Sequence, residues 1–148
     1  MLLVRLEALH RGHRQAFGHG LLPGDPGRPA RLMAQELFAA SLVVLAHDGG
    51  DDPRLLYANA AALRLWRRPW SGMVGLPSRL TAEPQERRAR AAALDGARLS
   101  GGIRCYGGVR IDSRGRRFRI AGARIWSLIA ADGSPCGQAA AFADWWWL

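Results

Sequence analysis

The spacing of apolar residues changes along the chain, and this change separates predicted helices from predicted strands. In residues 2–17, Leu6, Leu9 and His13 belong to a series with three- and four-residue spacing, and arginines lie between its members. That period predicts an amphipathic helix. The next segment, residues 18–29, is dense in glycine and proline and is predicted to be a connector.

A second helix is predicted from Pro29 to about residue 41, since proline suits the first turn of a helix. Residues 42–47 and 54–59 are short apolar runs separated by Asp, Gly and Pro, which indicates two strands of a hairpin. Asn59 is then expected to cap the short helix that follows, because its side chain can accept a hydrogen bond from a free backbone N–H.

The next predicted helix covers residues 84–99, with Pro84 in its first turn. Ala89, Ala93 and Ala97 form one stripe along this helix, and arginines occupy other positions. We therefore expect the alanine stripe to face the core.

Three segments near the C-terminus have the character of strands, namely residues 103–111, 116–129 and 136–145. Their connections carry Asp, Ser and Gly, which short hairpin turns favour. The element order is then two helices, two strands, two helices and three meandering strands. This order predicts an α+β domain with one five-stranded antiparallel sheet.

The segment of residues 106–126 contains six arginines and alternates apolar with polar positions. Period two predicts that one face is covered and the other is solvated. The predicted covered face carries Val109, Ile111, Phe118 and Ile120, and the predicted solvated face carries Arg110, Asp112, Arg117 and Arg119.

Arg124 breaks this pattern, because continued alternation places Arg124 and Trp126 on the covered face. Burying an unpaired arginine costs several kcal/mol. Two arrangements would resolve the conflict. A bulge at Gly122 would turn Arg124 outward, or Arg124 would line a cavity and bind an anionic group.

Composition narrows the function classes. The 148 residues are 49% hydrophobic and carry a net charge of +9, and all 21 basic residues are arginine. Absence of lysine is typical of a GC-rich coding bias and does not by itself indicate a phosphate-binding surface, so we expect no specific nucleic-acid binding. No apolar run is long enough to span a membrane, and the N-terminus does not have the pattern of a secretory signal. We therefore expect a cytoplasmic protein with no membrane partner.

No catalytic or metal motif stands out in the sequence. Cys105 and Cys136 are not paired as CxxC, and His10 and His13 lack an evident third metal ligand. We expect a non-enzymatic protein with no metal site. A small lyase or isomerase remains an alternative that would require an acidic residue inside a cavity, and an arginine-rich nucleic-acid-binding protein is a further alternative.

Three stretches carry a resemblance to a known family. They are "DPRLLYANAAALRLW" (52–66), "LPSRLTAEPQERRAR" (76–90) and "YGGVRIDSRGRRFRIAGARIWSLIAADGSPCGQAAAF" (106–142). From about His10 to the end, the chain resembles the MEKHLA domain, a PAS-like module found in plant homeodomain–leucine zipper regulators and as a stand-alone bacterial protein. This chain is similar to the stand-alone form.

The resemblance implies the PAS architecture, with strand order 2-1-5-4-3 and helices on one face of the sheet. Residues 1–41 would be an N-terminal helical flank, and residues 42–148 the PAS-like MEKHLA domain. It also implies a sensory or regulatory role, with a small ligand held between sheet and helices or a protein partner bound, and dimerisation. The cofactor stays unknown: "WSGMVGLPSRL" (70–80) lacks the cysteine that a flavin photosensor of this fold needs.

Aromatic and polar residues near the predicted sheet form the candidate ligand site. We list Trp66, Cys105, Tyr106, Arg124, Trp126 and Phe142. Simple core packing is an alternative role for the aromatic members. The C-terminal "DWWWL" (144–148) presents three adjacent indoles, which predicts an apolar patch for homodimer formation or packing on the N-terminal helix.

Overall fold

An antiparallel sheet with helices against both of its faces forms the framework of the protein. The computed structural model describes residues 2–148. The helices are α1 (Leu2–Phe17), α2 (Ala30–Ala39), α3 (Ala60–Trp66), α4 (Trp70–Met73) and α5 (Arg87–Ser100), with 3-10 turns at Ser78–Thr81 and Pro84–Glu86. The strands are β1 (Val43–His47), β2 (Leu55–Ala58), β3 (Gly102–Ile111), β4 (Arg117–Ile129), β5 (Pro135–Phe142) and β6 (Asp144–Trp147).

The order of strands is β2-β1-β5-β4-β3, and all neighbours are antiparallel. The predicted fold class and strand order are thereby confirmed. The last predicted strand is split in two. After β5 ends at Phe142, β6 pairs with β4 from Phe118 to Ala121 and keeps the register of β5.

Asn59 connects three elements at the start of α3. Its side-chain oxygen accepts hydrogen bonds from the backbone N–H of Ala62 and Val44, and its amide nitrogen donates to the carbonyls of Leu37 and Leu42. The predicted cap is confirmed. Because every polar atom of this buried amide has a partner, the cap also fixes α2 and β1 against α3.

Helix α1 lies across one face of the sheet, which we call the outer face. Gly12 allows this close packing, because a Cβ at that position would overlap the carbonyl oxygen of Ser127 on β4. Leu9 is fully buried beside Trp126, and the indole N–H of Trp126 donates to the Leu9 carbonyl over 2.9 Å. The Arg11 guanidinium adds a 2.6 Å hydrogen bond to the carbonyl of Ile129.

The opposite face, called the inner face, packs against α3 and α5 around a second apolar core that includes Trp66 and Phe118. The alanine stripe predicted on α5 is displaced. Ala97 is buried, whereas Ala89 is exposed, and Arg90 points toward the sheet instead. The sequence did not reveal this orientation because arginine and alanine are interspersed around the whole helix.

A bulge in β4 decides which side chains reach each face. Gly122 has φ +65°, and an extra β4 residue enters the pairing between Tyr106–Ala123 and Gly108–Ile120. A positive φ of this kind favours glycine. Residues after the bulge change faces, so Arg124 turns away from the inner face as the bulge alternative predicts. Trp126 also turns to the outer face, whereas the sequence pattern places it on the covered face beside the ligand.

The β3–β4 hairpin has a different register from the one predicted. Arg110 lies directly opposite Phe118, so both side chains are on the inner face. The prediction that Arg110 and Asp112 are solvated is wrong, because both are buried. Asp112 accepts hydrogen bonds from the backbone N–H of Arg114 and Arg116 in the turn. A one-residue difference in register is enough to exchange the faces of a strand.

Candidate functional site

A small cavity lies between the inner face of the sheet and α5. Its volume is about 50 Å³, enough for a few water molecules or a small organic group. Most of its wall is apolar, as in typical ligand sites. The apolar lining includes Leu45, Leu55, Leu94, Ile120, Ile125 and Phe142.

Three of the six predicted site residues line this cavity, namely Trp66, Tyr106 and Phe142. Trp66 is fully buried, and its indole contacts the rings of Phe118 and Phe142 edge to face. The structure therefore brings the aromatic half of the predicted set together at one site.

The other three predicted residues lie elsewhere. Arg124 and Trp126 are on the outer face beneath α1, where Trp126 packs edge to face on the ring of His13. Cys105 is exposed at an irregular point of β3, where its φ is +60°.

Arg124 has a neutral partner on the outer face. Its Nη1 lies 2.9 Å from Nε2 of His13, and Nδ1 of His13 lies 2.9 Å from the carbonyl oxygen of His19. A guanidinium can only donate, so Nε2 accepts and Nδ1 carries the proton. Burial lowers the pKa of His13 to about 4, which keeps the ring neutral beside the Arg124 charge.

Arg110 brings a charge into the cavity wall from β3. Its guanidinium donates to the Tyr106 hydroxyl over 3.0 Å and to the carbonyl of Val109 over 2.9 Å. Gly108 lies between Arg110 and Tyr106 on the same side of the strand, and a Cβ there would come within 3.2 Å of both side chains. Glycine at this position leaves space for the arginine to fold back over the strand.

Arg90 approaches the same cavity from α5. Burial is the main cause that lowers its pKa to about 10, and the nearby positive charge of Arg110 contributes. Within residues 2–148, neither Arg90 nor Arg110 forms an ion pair with a carboxylate. Sequence reasoning missed both residues, because their inward direction depends on the hairpin register and on the rotation of α5.

His47 adds a buried polar atom to the cavity. Nδ1 of His47 lies 2.6 Å from the carbonyl oxygen of Asp48, so this nitrogen carries the proton and Nε2 is left as an acceptor. Nε2 is buried and has no hydrogen-bond partner in the described part of the chain. Burial is again the main cause that lowers the pKa of His47. The cavity thus presents donors from two arginines and one free acceptor.

An open groove lies next to the cavity and shares part of its wall. His47, Arg90, Leu94 and Gln138 line both spaces. Arg90 therefore lies at the boundary between the cavity and the groove.

Carboxylate or thiol chemistry, metal binding and flavin binding have little support at this cavity. Its lining, drawn from residues 2–148, contains no Asp, Glu or Cys. The same residues hold no group of three metal-ligating side chains. The cavity volume of about 50 Å³ also does not fit a flavin. None of the helices described for this chain is long and apolar enough to cross a membrane.

Solved structures with a similar fold include PAS and light-oxygen-voltage domains. A PAS domain from Colwellia psychrerythraea superposes with a TM-score of 0.67 at 11% identity, covering 75% of this chain and 92% of that chain. An RNA-binding light-oxygen-voltage receptor gives 0.63 at 21% identity, with 85% and 36% covered. A light-oxygen-voltage domain from work with a flavin analogue gives 0.62 at 15% identity, with 80% and 84% covered. These identities support a likeness of fold alone.

Sequence comparison gives the family directly. No curated protein matches the chain significantly. The family model of the MEKHLA domain matches residues 4–147, which is nearly the whole described chain. With a PAS-like sheet, and with PAS and light-oxygen-voltage domains as structural neighbours, the chain has a PAS-like fold and belongs to the MEKHLA domain family.

Proposed function

We propose that this protein is a non-enzymatic sensory module, and that its input is a small molecule bound in the cavity between the inner sheet face and α5. The observation that carries the proposal is the cavity itself, with its apolar wall and few convergent polar groups. Sites of this composition are typical of small-ligand binding. Residues 42–148 would hold the ligand site, and the flank of residues 1–41 would cover the opposite face.

The polar groups at the cavity favour binding over catalysis. A lyase or isomerase would need an acid or base positioned to move a proton. The lining formed by the described residues offers no carboxylate, and its one imidazole has a pKa lowered by burial. The acidic residue that the enzyme alternative requires is therefore not among the described lining residues.

A substitution that fills the cavity tests the proposal. Ala123 is fully buried and lines the cavity, so Ala123→Val would occupy part of its volume. Ala143→Val is the matched control, since Ala143 is an exposed residue between β5 and β6. Native mass spectrometry of protein purified without denaturation should find a bound small molecule in wild type and in Ala143→Val, and less in Ala123→Val. Equal retention by all three proteins would contradict this site.

We also propose that the module forms a homodimer through β6. This strand pairs with β4 along one edge, and no other strand of residues 2–148 pairs with its second edge. Trp145, Trp146 and Leu148 are exposed beside that free edge. Unpaired edges with apolar side chains are prone to associate.

Light scattering on point variants tests the dimer. Deletion of residues 145–148 is a less specific variant, because Trp145 and Trp147 pack on the buried ring of Phe118. Trp146→Ser changes only an exposed ring on the other side of the strand, and it should lower the mass toward that of a monomer. Leu99→Ser, at an exposed leucine of α5, is the control and should leave the mass unchanged.

A further inference from the structure

Two arginine side chains meet at the cavity without a negative charge to balance them. Arg110 is 6% exposed and Arg90 is partly buried, and both line the cavity. The described chain supplies neither with a carboxylate partner. Buried cations are normally paired, because desolvation without compensation is costly. The two positive charges at the cavity would therefore be balanced by a bound anion.

The hydrogen bonds of Arg110 do not remove this deficit. Its acceptors are the Tyr106 hydroxyl and a backbone carbonyl, which are both neutral. A guanidinium has five N–H donors in a planar fork that matches a carboxylate or a phosphate. Arg90 has no side-chain hydrogen bond to another residue within 2–148. Donors therefore remain available from both side chains.

The rest of the wall selects among anions. Leu55, Ile120, Ile125 and Phe142 surround the space with hydrocarbon, which would leave most oxygens of an inorganic phosphate without partners. A short organic acid would place one carboxylate at the arginines and an apolar body against these side chains. The volume of about 50 Å³ restricts that body to a few carbon atoms unless the cavity expands toward the groove.

His47 adds a second requirement on the ligand. Its Nε2 is buried, lacks a partner in the described residues and can only accept while the ring is neutral. A ligand hydroxyl or N–H group would satisfy it.

From this geometry we infer that the sensed molecule is a small organic acid, whose carboxylate binds Arg110 and Arg90 and whose apolar body fills the cavity, with a hydroxyl or N–H group facing His47. The inference rests on the proposed ligand-binding function and names its ligand class. Arg110 and Arg90 would thus have the anion-binding role that the sequence suggested for Arg124, because Arg124 is paired with His13 on the outer face.

The first test uses the protein without added ligand. Arg110→Met replaces the charged group by an apolar side chain of similar length, and Arg119→Met is the matched control at an exposed arginine of the neighbouring strand. If Arg110 is held for a ligand, Arg110→Met should melt at a higher temperature than wild type once bound molecules are removed by refolding. Arg119→Met should melt with wild type. A large decrease for Arg110→Met would assign Arg110 a structural role and overturn the inference.

The second test measures binding with defined probes. Propionate, lactate and benzoate, the carboxamide of each, and inorganic phosphate are each titrated by thermal shift and calorimetry. At least one of these acids should bind to wild type and to Arg119→Met with similar affinity. The same acid should bind to Arg110→Met at least tenfold more weakly. It should also bind to wild type more tightly than its carboxamide does. Tighter binding of lactate than propionate, lost in His47→Phe, would support the role of Nε2. Equal binding of acid and amide, or stronger binding of phosphate, would overturn the inference.

The two proposals fail in different ways. If no acid binds but native mass spectrometry finds a neutral molecule that Ala123→Val displaces, the cavity is a ligand site and the acid inference is wrong. If no probe binds and no molecule is retained by wild type, both the ligand-binding function and the acid inference are wrong.

Discussion

The two faces of the sheet differ in how their inward-facing arginines are paired. On the outer face, Arg124 donates to His13, which burial keeps neutral. His13 in turn donates a hydrogen bond to the carbonyl of His19. On the inner face, Arg90 and Arg110 share a cavity without an anionic partner in the described chain.

The difference separates a structural role from a binding role. Under α1, Arg124, His13 and Trp126 each have a hydrogen-bond partner within the chain, whereas Nε2 of His10, on the helix itself, has none among the described residues. The packing around Gly12 also leaves little space, so we assign the contact of α1 with β4 a role in stability. The inner face keeps a cavity, two arginines and the free Nε2 of His47. Buried groups that remain unsatisfied reduce stability, and retaining them is expected where a ligand completes the site.

Substitution of Gly12 should disturb the outer face most strongly. In Gly12→Ala, the new methyl would overlap the carbonyl oxygen of Ser127 and push α1 off β4. Chemical denaturation should show a decrease in the free energy of unfolding of about 3 kcal/mol, as for overpacked cores.

Gly96→Ala provides the control for this change. Gly96 lies inside α5, and nothing comes within 4 Å of a Cβ placed there. This variant should gain roughly 0.5–1 kcal/mol, because alanine is the better helix former. A Gly12→Ala protein as stable as wild type would mean that α1 does not pack on the sheet at this distance.

Paired tryptophan substitutions should compare the two faces directly. Trp126→Phe removes the 2.9 Å hydrogen bond to Leu9 from the closely packed face. Trp66→Phe removes a longer bond of 3.4 Å to the Thr81 carbonyl beside the cavity. Both substitutions remove the same ring volume. The difference between their unfolding free energies therefore reports on the hydrogen bond and on the packing around each ring. We expect Trp126→Phe to cost about 2 kcal/mol of unfolding free energy and Trp66→Phe less; the reverse order in urea melts would contradict the comparison.

Local patterns predicted most elements of this fold but not the direction of the critical side chains. The period of α1, the Asn59 cap and the bulge at Gly122 each follow from residue types within a short window. Helix α4 was missed, because its four residues include a glycine and are too few for a period.

The strand order came from the family resemblance, since antiparallel pairing of distant segments leaves no local signal. The inward direction of Arg110 depends on the number of residues in the turn that starts at Asp112. The inward direction of Arg90 depends on how α5 rotates as it docks. Both are properties of tertiary packing, and so half of the predicted site residues lie outside the cavity while two charged members of its wall were not predicted.

The part of the pH dependence of stability that comes from His13 should give the smallest effect, and that part reports on the outer face. Burial lowers the pKa of His13 to about 4, against 6.5 in the unfolded chain. Between these values the unfolded chain binds a proton that the folded chain does not, so stability is complete above pH 6.5 and decreases as the pH falls toward 4. Allowing for solvent screening, His13 should contribute about 1 kcal/mol, or roughly 2–4 °C in the melting temperature.

Two variants separate His13 from the other histidines. His13→Gln keeps a neutral hydrogen-bonding side chain beside Arg124 and should flatten the decrease in melting temperature between pH 6.5 and 4. His19→Gln changes an exposed ring and leaves intact the backbone carbonyl that His13 uses, so its pH profile should match wild type. His10 and His47 also have pKa values lowered by burial, so a residual slope of the same sign should persist in both variants. A His13→Gln profile as steep as that of wild type would mean that protonation of His13 does not disturb Arg124. The hydrogen bond between Arg124 and neutral His13 would then not explain how this charge is accommodated on the outer face.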